Sequence, residues 1–301
     1  MTRPRVIVES APAKINLILQ VAPRRPDGYH DLQTVFMAVS LMDRLSFRHL
    51  TAGRIKISIS GRQAKLIPRD GTDLATRAAR LLRDRYGQPT MGALLTLNKK
   101  IPVAGGMAGG STDAAAALRG CNTLWGLNLD DVVLGTLAAE LGADVPFALH
   151  GNVAFGTGRG DMLQPVPVSG IFHWALAFAH HGLSTPAVFR TFDALPDAPD
   201  AAPIDDLLRG LATGDAAAVG HCLHNDLTPA ALALCPELGT TLEVGRHHPG
   251  VLGAILSGSG PTCAFLCDSA KTAADVAAEL ARLPQVKSAK TVTGPVSATS
   301  G

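Results

Sequence analysis

Residues 54–60 (Arg-Ile-Lys-Ile-Ser-Ile-Ser) alternate apolar and polar side chains with a period of two, the mark of a strand with one buried face. Apolar runs at 6–8, 15–21, 94–97, 152–155, 172–179, 251–256, 262–266 and 289–292 predict further strands. Between the first two, Ala11-Pro12-Ala13 predicts a break or bulge, because proline cannot donate to a ladder. Residues 23–29, rich in Pro, Arg, Asp and Gly, read as a loop. Helical spacing takes over after Asp73. Leu74, Ala78, Leu81 and Leu82 fall on one side and Arg77, Arg80, Arg83 and Asp84 mostly on the other, with Asp73 as N-cap and Gly87 and Pro89 as the stop.

Further helices are predicted at 131–141, 205–211, 216–223, 230–234 and 273–283. The alanine run 114–117 predicts another, with Ser111, Thr112 and Asp113 as N-cap types. Pro165, Pro167 and Gly170 punctuate a boundary, and residues 196–203 read as a solvated Pro/Asp/Ala loop. The expected architecture is two α+β domains, 1–163 and 164–301.

Composition narrows the function classes. The 301 residues carry 27 Lys+Arg against 25 Asp+Glu, a formal net charge of +2, which argues against a nucleic-acid or membrane-surface binder. Hydrophobic residues make up 47%, enough for a sizeable core. No run approaches the roughly 18 apolar residues of a membrane span, and the first residues lack the apolar stretch of a secretory signal. Cys121, Cys222, Cys235, Cys263 and Cys267 are odd in number and form no CxxC, so reduced, buried thiols and a cytoplasmic location are expected. His221 and His224 flank Cys222, but no ligand spacing is completed; a solvated helix face is expected there and no metal site. The pairs His180-His181 and His247-His248 read the same way.

Glycine and proline together account for 51 of the residues, and the glycines cluster. In Pro102-Val-Ala-Gly-Gly-Met-Ala-Gly-Gly-Ser-Thr112 they lead into the predicted helix. Gly105 and Gly110 have P-loop spacing, but Ser111 stands where that motif needs lysine. Gly156-Thr-Gly158 and Gly258-Ser-Gly260 lack the third glycine of a dinucleotide fingerprint. What remains is a loop that allows close backbone approach at a helix N-terminus, where free N–H groups and the helix dipole favour phosphate. A plain turn before a capped helix is the alternative. Ser111 and Thr112 offer hydroxyls to phosphate or Mg²⁺, while Lys99 and Lys100 read either as nucleotide aids or as a solvated turn.

Three separated segments, Ala11-Pro-Ala-Lys-Ile-Asn-Leu17, the glycine loop and Leu256-Ser-Gly-Ser-Gly-Pro-Thr262, resemble the three motifs of the galacto-, homoserine, mevalonate and phosphomevalonate kinase superfamily. More narrowly, Arg25-Pro-Asp-Gly-Tyr-His-Asp-Leu-Gln-Thr34 and Leu141-Gly-Ala-Asp-Val-Pro-Phe147 are similar to the 4-diphosphocytidyl-2-C-methyl-D-erythritol kinases. The resemblance implies an α+β fold: an N-terminal domain of the ribosomal-protein-S5 domain 2 type, a ferredoxin-like C-terminal domain, and an active site in the cleft between them. It implies ATP and Mg²⁺, a cytidine-diphosphate-linked methylerythritol as substrate, and a monomer or weak homodimer.

The implied roles follow the motifs residue by residue. Asp144 is the catalytic base and Lys14 its partner at the attacking hydroxyl. Pro102, Val103, Ala104, Gly105, Gly106, Met107, Ala108, Gly109, Gly110, Ser111 and Thr112 hold ATP. Tyr29 and Phe189 sandwich the cytosine and His30 bonds its edge. Asn16 lies beside the sugar alcohol, and Gly258 and Ser259 close the cleft.

Each residue also has a plainer reading: Lys14 as an edge-strand charge, Asp144 as a helix stop, Tyr29 as a surface anchor, Phe189 as core. Where the family loop usually has Leu-Gly, this chain has Met107-Ala108, and a left-handed Ala108 costs about 1 kcal/mol. Two other functions compete with the leading one. A kinase for homoserine or mevalonate would need no base-stacking ring, and a non-catalytic nucleotide sensor would need neither Lys14 nor Asp144.

Overall fold

The structure, a computed structural model, describes residues 6–195 and 203–298. The loop expected at 196–203 therefore lies almost wholly outside the described residues. β1 (Ile7–Arg24) and β2 (His30–Leu50) form a long antiparallel hairpin. β3 (Ile55–Ser60), a short 3₁₀ turn (Ala64–Leu66), α1 (Leu74–Tyr86), β4 (Gly92–Asn98), α2 (Gly109–Trp125), α3 (Asp131–Leu141) and α4 (Val145–His150) follow. β5 (Val153–Thr157) and β6 (Met162–Pro165) complete the first half.

The second half contains β7 (Phe172–Ala179), α5 (Thr185–Phe192), α6 (Ile204–Thr213), α7 (Ala216–His221), β8 (His224–Asn225), α8 (Thr228–Leu234) and α9 (Glu237–His247). It ends with β9 (Val251–Leu256), β10 (Thr262–Cys267), α10 (Ala270–Leu280) and β11 (Val286–Gly294).

A seven-stranded mixed sheet has the order β3-β4-β2-β1-β8, with β5 on β2 and β6 on β5. A four-stranded antiparallel sheet has the order β11-β7-β10-β9. One core lies between the first sheet and α1 to α4, a second between the two sheets, and a third between the second sheet and α5, α8, α9 and α10. This is the two-domain α+β arrangement expected. The halves are nevertheless tied by more than one crossing. β8 pairs in parallel with β1, and Val296 and Ala298 bond back to Ala38, His150 and Asn152.

Where Ala11-Pro12-Ala13 predicted a break or bulge, β1 runs unbroken through a register shift between Pro12 and Ala13. The shift has a direct consequence for side-chain direction. Strand side chains alternate, so Ala11 and Ala13 would share a face in a regular strand. Instead Ala11 packs in the helix-side core and Ala13, Ile15 and Leu17 in the inter-sheet core. The even residues Lys14 and Asn16 are thereby turned to the opposite side, where they line the cleft. Strands β2, β6 and β8 and helices α4, α5 and α9 have no predicted counterpart.

Candidate active site

A cavity of about 1010 Å³ runs between the halves. Its lining includes Lys14, Asn16, Tyr29, His30, Asp144, Phe189, Gly258 and Ser259, together with most of the glycine loop. Met107 and Thr112 do not line it: Met107 is buried in the inter-sheet core, and the Thr112 hydroxyl donates back to the Gly109 carbonyl.

The glycine loop feeds α2, but the helix begins at Gly109, with Ala108 rather than Ser111, Thr112 or Asp113 at the N-cap. Those three residues are the third, fourth and fifth of the helix instead. Ala108 sits at φ 55°, ψ 29°, the left-handed conformation anticipated if this position replaces a family glycine. Ala104 and Gly106 also have positive φ, at 53° and 75°. Such reversals turn successive peptide planes and leave the helix start facing the cavity.

The loop owes its shape to the second half of the chain. Ser257 Oγ donates to the Gly106 carbonyl at 3.0 Å and Thr262 Oγ1 to the Gly105 carbonyl at 2.6 Å. Asn225 Nδ2 in turn donates to the carbonyls of Leu256 and Gly258. Ser259 Oγ lies 2.8 Å from Thr185 Oγ1, at the start of the helix that carries Phe189. The motif 256–262 thus acts largely as a brace, through Ser257 and Thr262, which the motif resemblance did not single out.

On the cleft wall, Lys14 Nζ donates to Asn16 Oδ1 at 2.7 Å, Asn16 Nδ2 to Thr34 Oγ1 at 2.8 Å, and Thr34 Oγ1 to the Ile18 carbonyl at 2.7 Å. The relay fixes which Asn16 atom faces the lysine. Lys14 Nζ also lies 5.2 Å from the centre of the Phe36 ring. Burial pulls the Lys14 ammonium below the ordinary lysine range, and Asp144 partly opposes this. Asp144 precedes the six-residue α4 without capping it, so its carboxylate is not committed to the helix. The pair feel each other's charge yet form no ion pair within 4.0 Å.

At the other end, the His30 and Phe189 rings lie 5.2 Å apart, and Phe192 meets His30 edge-on at 6.0 Å. Tyr29 is 57% exposed on the hairpin turn. His30 Nδ1 faces the Ala22 carbonyl at 2.8 Å and Nε2 the Asp193 carboxylate at 3.1 Å, so both ring nitrogens have partners. Asp193 has no sequence signal beyond its place after α5.

Lys99 lines the cavity and does not lie in a solvated turn. It is buried, and its ammonium bonds Asp43, Asp113 and the Gly109 carbonyl. His224 pairs with Asp226 on a short strand, not on a solvated helix face, and no metal-binding cluster occurs among the described residues. The five cysteines are free; Cys235 is half-buried where full burial was expected. No described helix is long and apolar enough to cross a membrane.

The GHMP kinases N terminal domain matches residues 73–152, and the GHMP kinases C terminal domain matches residues 207–285. A 4-diphosphocytidyl-2-C-methyl-D-erythritol kinase of Nocardia farcinica is 50% identical over 97% of this chain and 95% of its own length. One of Thermobifida fusca is 49% identical over 98% of each chain. Among solved structures, a 4-(cytidine 5'-diphospho)-2C-methyl-D-erythritol kinase superposes with a TM-score of 0.79 at 34% identity, covering 95% of this chain and 98% of that one. A homoserine kinase from Cytophaga hutchinsonii shares the fold alone, with a TM-score of 0.77 at 17% identity over 99% of this chain and 96% of its own. With two family domains in order and near-full-length relatives at half identity, the chain belongs to the GHMP kinases, in the branch of the 4-diphosphocytidyl-2-C-methyl-D-erythritol kinases.

Proposed function

We propose that the protein transfers the γ-phosphoryl group of ATP to the 2-hydroxyl of 4-diphosphocytidyl-2-C-methyl-D-erythritol, in the non-mevalonate route to isoprenoid precursors. One observation carries the reading: Lys14 and Asp144 face one cleft that has a glycine loop along one part and a ring cluster along another. The substrate hydroxyl sits between Lys14 and Asp144, which share the cleft without forming an ion pair. Asp144 takes the hydroxyl proton as the oxygen attacks phosphorus, and Lys14 stabilises the charge that develops on that oxygen. Asn16, oriented by Thr34, holds the lysine and the alcohol in place. The backbone around Gly105–Gly110 and the start of α2 receive the phosphates.

Beyond the loop, the cavity continues to Leu66, Ile67 and Pro68, an apolar wall suited to the adenine ring. That wall is held to the loop by the Val103 N–H, which donates to Gln63 Oε1 at 2.6 Å. At the opposite end, Phe189 and Tyr29 offer faces to a cytosine. A base edge that reaches His30 Nε2 must share it with Asp193 or displace that carboxylate.

Mg²⁺ fits the donor set. Among the described residues the Ser111 hydroxyl lines the cavity without a partner, and Mg²⁺ characteristically takes few protein oxygens alongside phosphates and water. When bound, the ion neutralises phosphate charge. Free cysteines suit a cytoplasmic location, a monomer or weak homodimer suits a cleft built within one chain, and past a boundary near residue 163 the second half adds Phe189, Gly258 and Ser259 to a substrate side that Asn16, Tyr29 and His30 share. Turnover with the cytidylyl alcohol, compared with its uncytidylylated counterpart, homoserine and mevalonate, tests the reading. ADP release specific to the cytidylyl compound supports it, and equal turnover without the nucleotide overturns it.

A further inference from the structure

The connection from β4 to α2 is stapled at both ends by one buried cluster. Asp43, on β2, is fully buried, and Oδ1 accepts from the backbone N–H groups of Lys100 and Ile101, at 2.5 and 2.9 Å, where the connection begins. Its Oδ2 accepts from Lys99 Nζ at 2.5 Å. The same ammonium donates to Asp113 Oδ2 at 2.6 Å and to the Gly109 carbonyl at 2.9 Å, where the connection ends. An ammonium has three N–H groups, and all three are engaged, so none is left for a phosphate.

Charge matters as much as shape. Asp113 is the fifth residue of α2, with Oδ1 buried and unpartnered. Burial pushes its carboxyl well up, Lys99 opposes this and Asp43 reinforces it. For Lys99, burial is the largest influence and lowers it, but Asp113 and Asp43 together outweigh burial and the ammonium is held above its usual value. Without Lys99, two carboxylates would stand at the helix start that must attract phosphate.

We infer that Asp43, Lys99 and Asp113 form a positioning triad, which fixes the glycine loop at both ends and neutralises its surroundings; Lys99 and Asp113 line the cavity with their charged groups turned to each other. This rests on reading the glycine loop as the phosphate site. Asp43 does not line the cavity, so an effect of its substitution on nucleotide binding must travel through the triad.

Calorimetric titration of the whole chain with ADP, and separately with CDP, tests the inference. In Asp43→Asn a donor faces the ammonium in place of Oδ2, and ADP affinity is expected to fall about tenfold, the order of one charge-assisted hydrogen bond. Lys99→Met is expected to lose more, and adding Asp113→Asn to it should recover part of the loss. CDP affinity should stay within about twofold throughout, a split that general loosening of the fold would not produce. Asp113→Asn alone, the mildest change, serves if either of the others folds poorly; a fall of about threefold or more in ADP affinity alone is expected. Folded variants that bind ADP as wild type does, or that lose ADP and CDP affinity in parallel, overturn the triad's role. Wild-type protein that binds ADP but not CDP would instead count against the substrate reading and leave the triad test intact.

Discussion

Gly106 and Gly110 belong to the same glycine loop, yet the structure assigns them opposite tolerances. At Gly106, φ is +75°, and an added Cβ would lie 2.2 Å from the Ser257 carbonyl oxygen, 2.9 Å from that of Gly260 and 3.0 Å from the Gly260 nitrogen. All three are backbone atoms that no side-chain rotation can move. Gly106→Ala therefore meets a left-handed penalty of about 1–2 kcal/mol. It also disrupts the Ser257–Gly106 hydrogen bond, about 1 kcal/mol, and overpacks the brace by about 1–3 kcal/mol.

A loss of about 3–6 kcal/mol follows for Gly106→Ala, with weaker ADP binding in whatever fraction stays folded. At Gly110 the added Cβ would meet only the Leu74 Cδ1 atom, at 3.4 Å, and φ is not left-handed. Alanine is the better helix former by about 1 kcal/mol, so Gly110→Ala should be neutral or slightly stabilising. Urea unfolding followed by circular dichroism, with ADP titration alongside, reads both. A Gly106→Ala midpoint equal to wild type, or equal damage from Gly110→Ala, would refute the brace.

The chemistry and the ring cluster make further predictions. Asp144→Asn should lower kcat by about 10²–10⁴ with KM for both substrates little changed, the signature of a lost general base in steady-state kinetics. Lys14→Met should abolish most turnover without lowering stability, because it removes a buried charge; unfolding in urea checks the second half. The folded-state pKa of Lys14 lies below its unfolded value, so between the two the unfolded chain binds more protons and wild-type stability rises with pH. The Met variant should lose that rise, and wild-type kcat should fall along an alkaline limb that starts below the ordinary lysine range. Phe189→Ala should raise KM for the cytidylyl alcohol about 5–150-fold, as loss of base stacking would, while KM for ATP holds within twofold.

The sequence was most legible where local chemistry decides structure. Asp73 caps α1 at Thr76 N, and the alternating 54–60 segment forms β3 almost to the residue. Lys14 and Asp144 face one cleft as the motifs implied, although they are 130 positions apart. Reading failed where distant partners decide. Strand β2 is buried on both faces over 34–39 and on alternate residues over 41–47, so no single period marks it. Helix α2 starts at Gly109, before its best capping types, because the glycine loop ends there on a left-handed Ala108. Lys99 looked like part of a polar turn, and only the fold brings Asp43, 56 positions earlier, beside it. The His30–Asp193 contact and the Ser257–Gly106 brace are equally non-local, spanning turns and cores that no spacing rule connects.

The central claim is phosphoryl transfer to one particular hydroxyl of a cytidylyl alcohol. Phosphorus NMR of the product formed from ATP, Mg²⁺ and 4-diphosphocytidyl-2-C-methyl-D-erythritol tests it most directly. ADP and one new phosphomonoester resonance, coupled to the 2-position, are expected, with the diphosphate bridge to cytidine intact. Unchanged alcohol beside consumed ATP, or phosphate attached at another position, would contradict it.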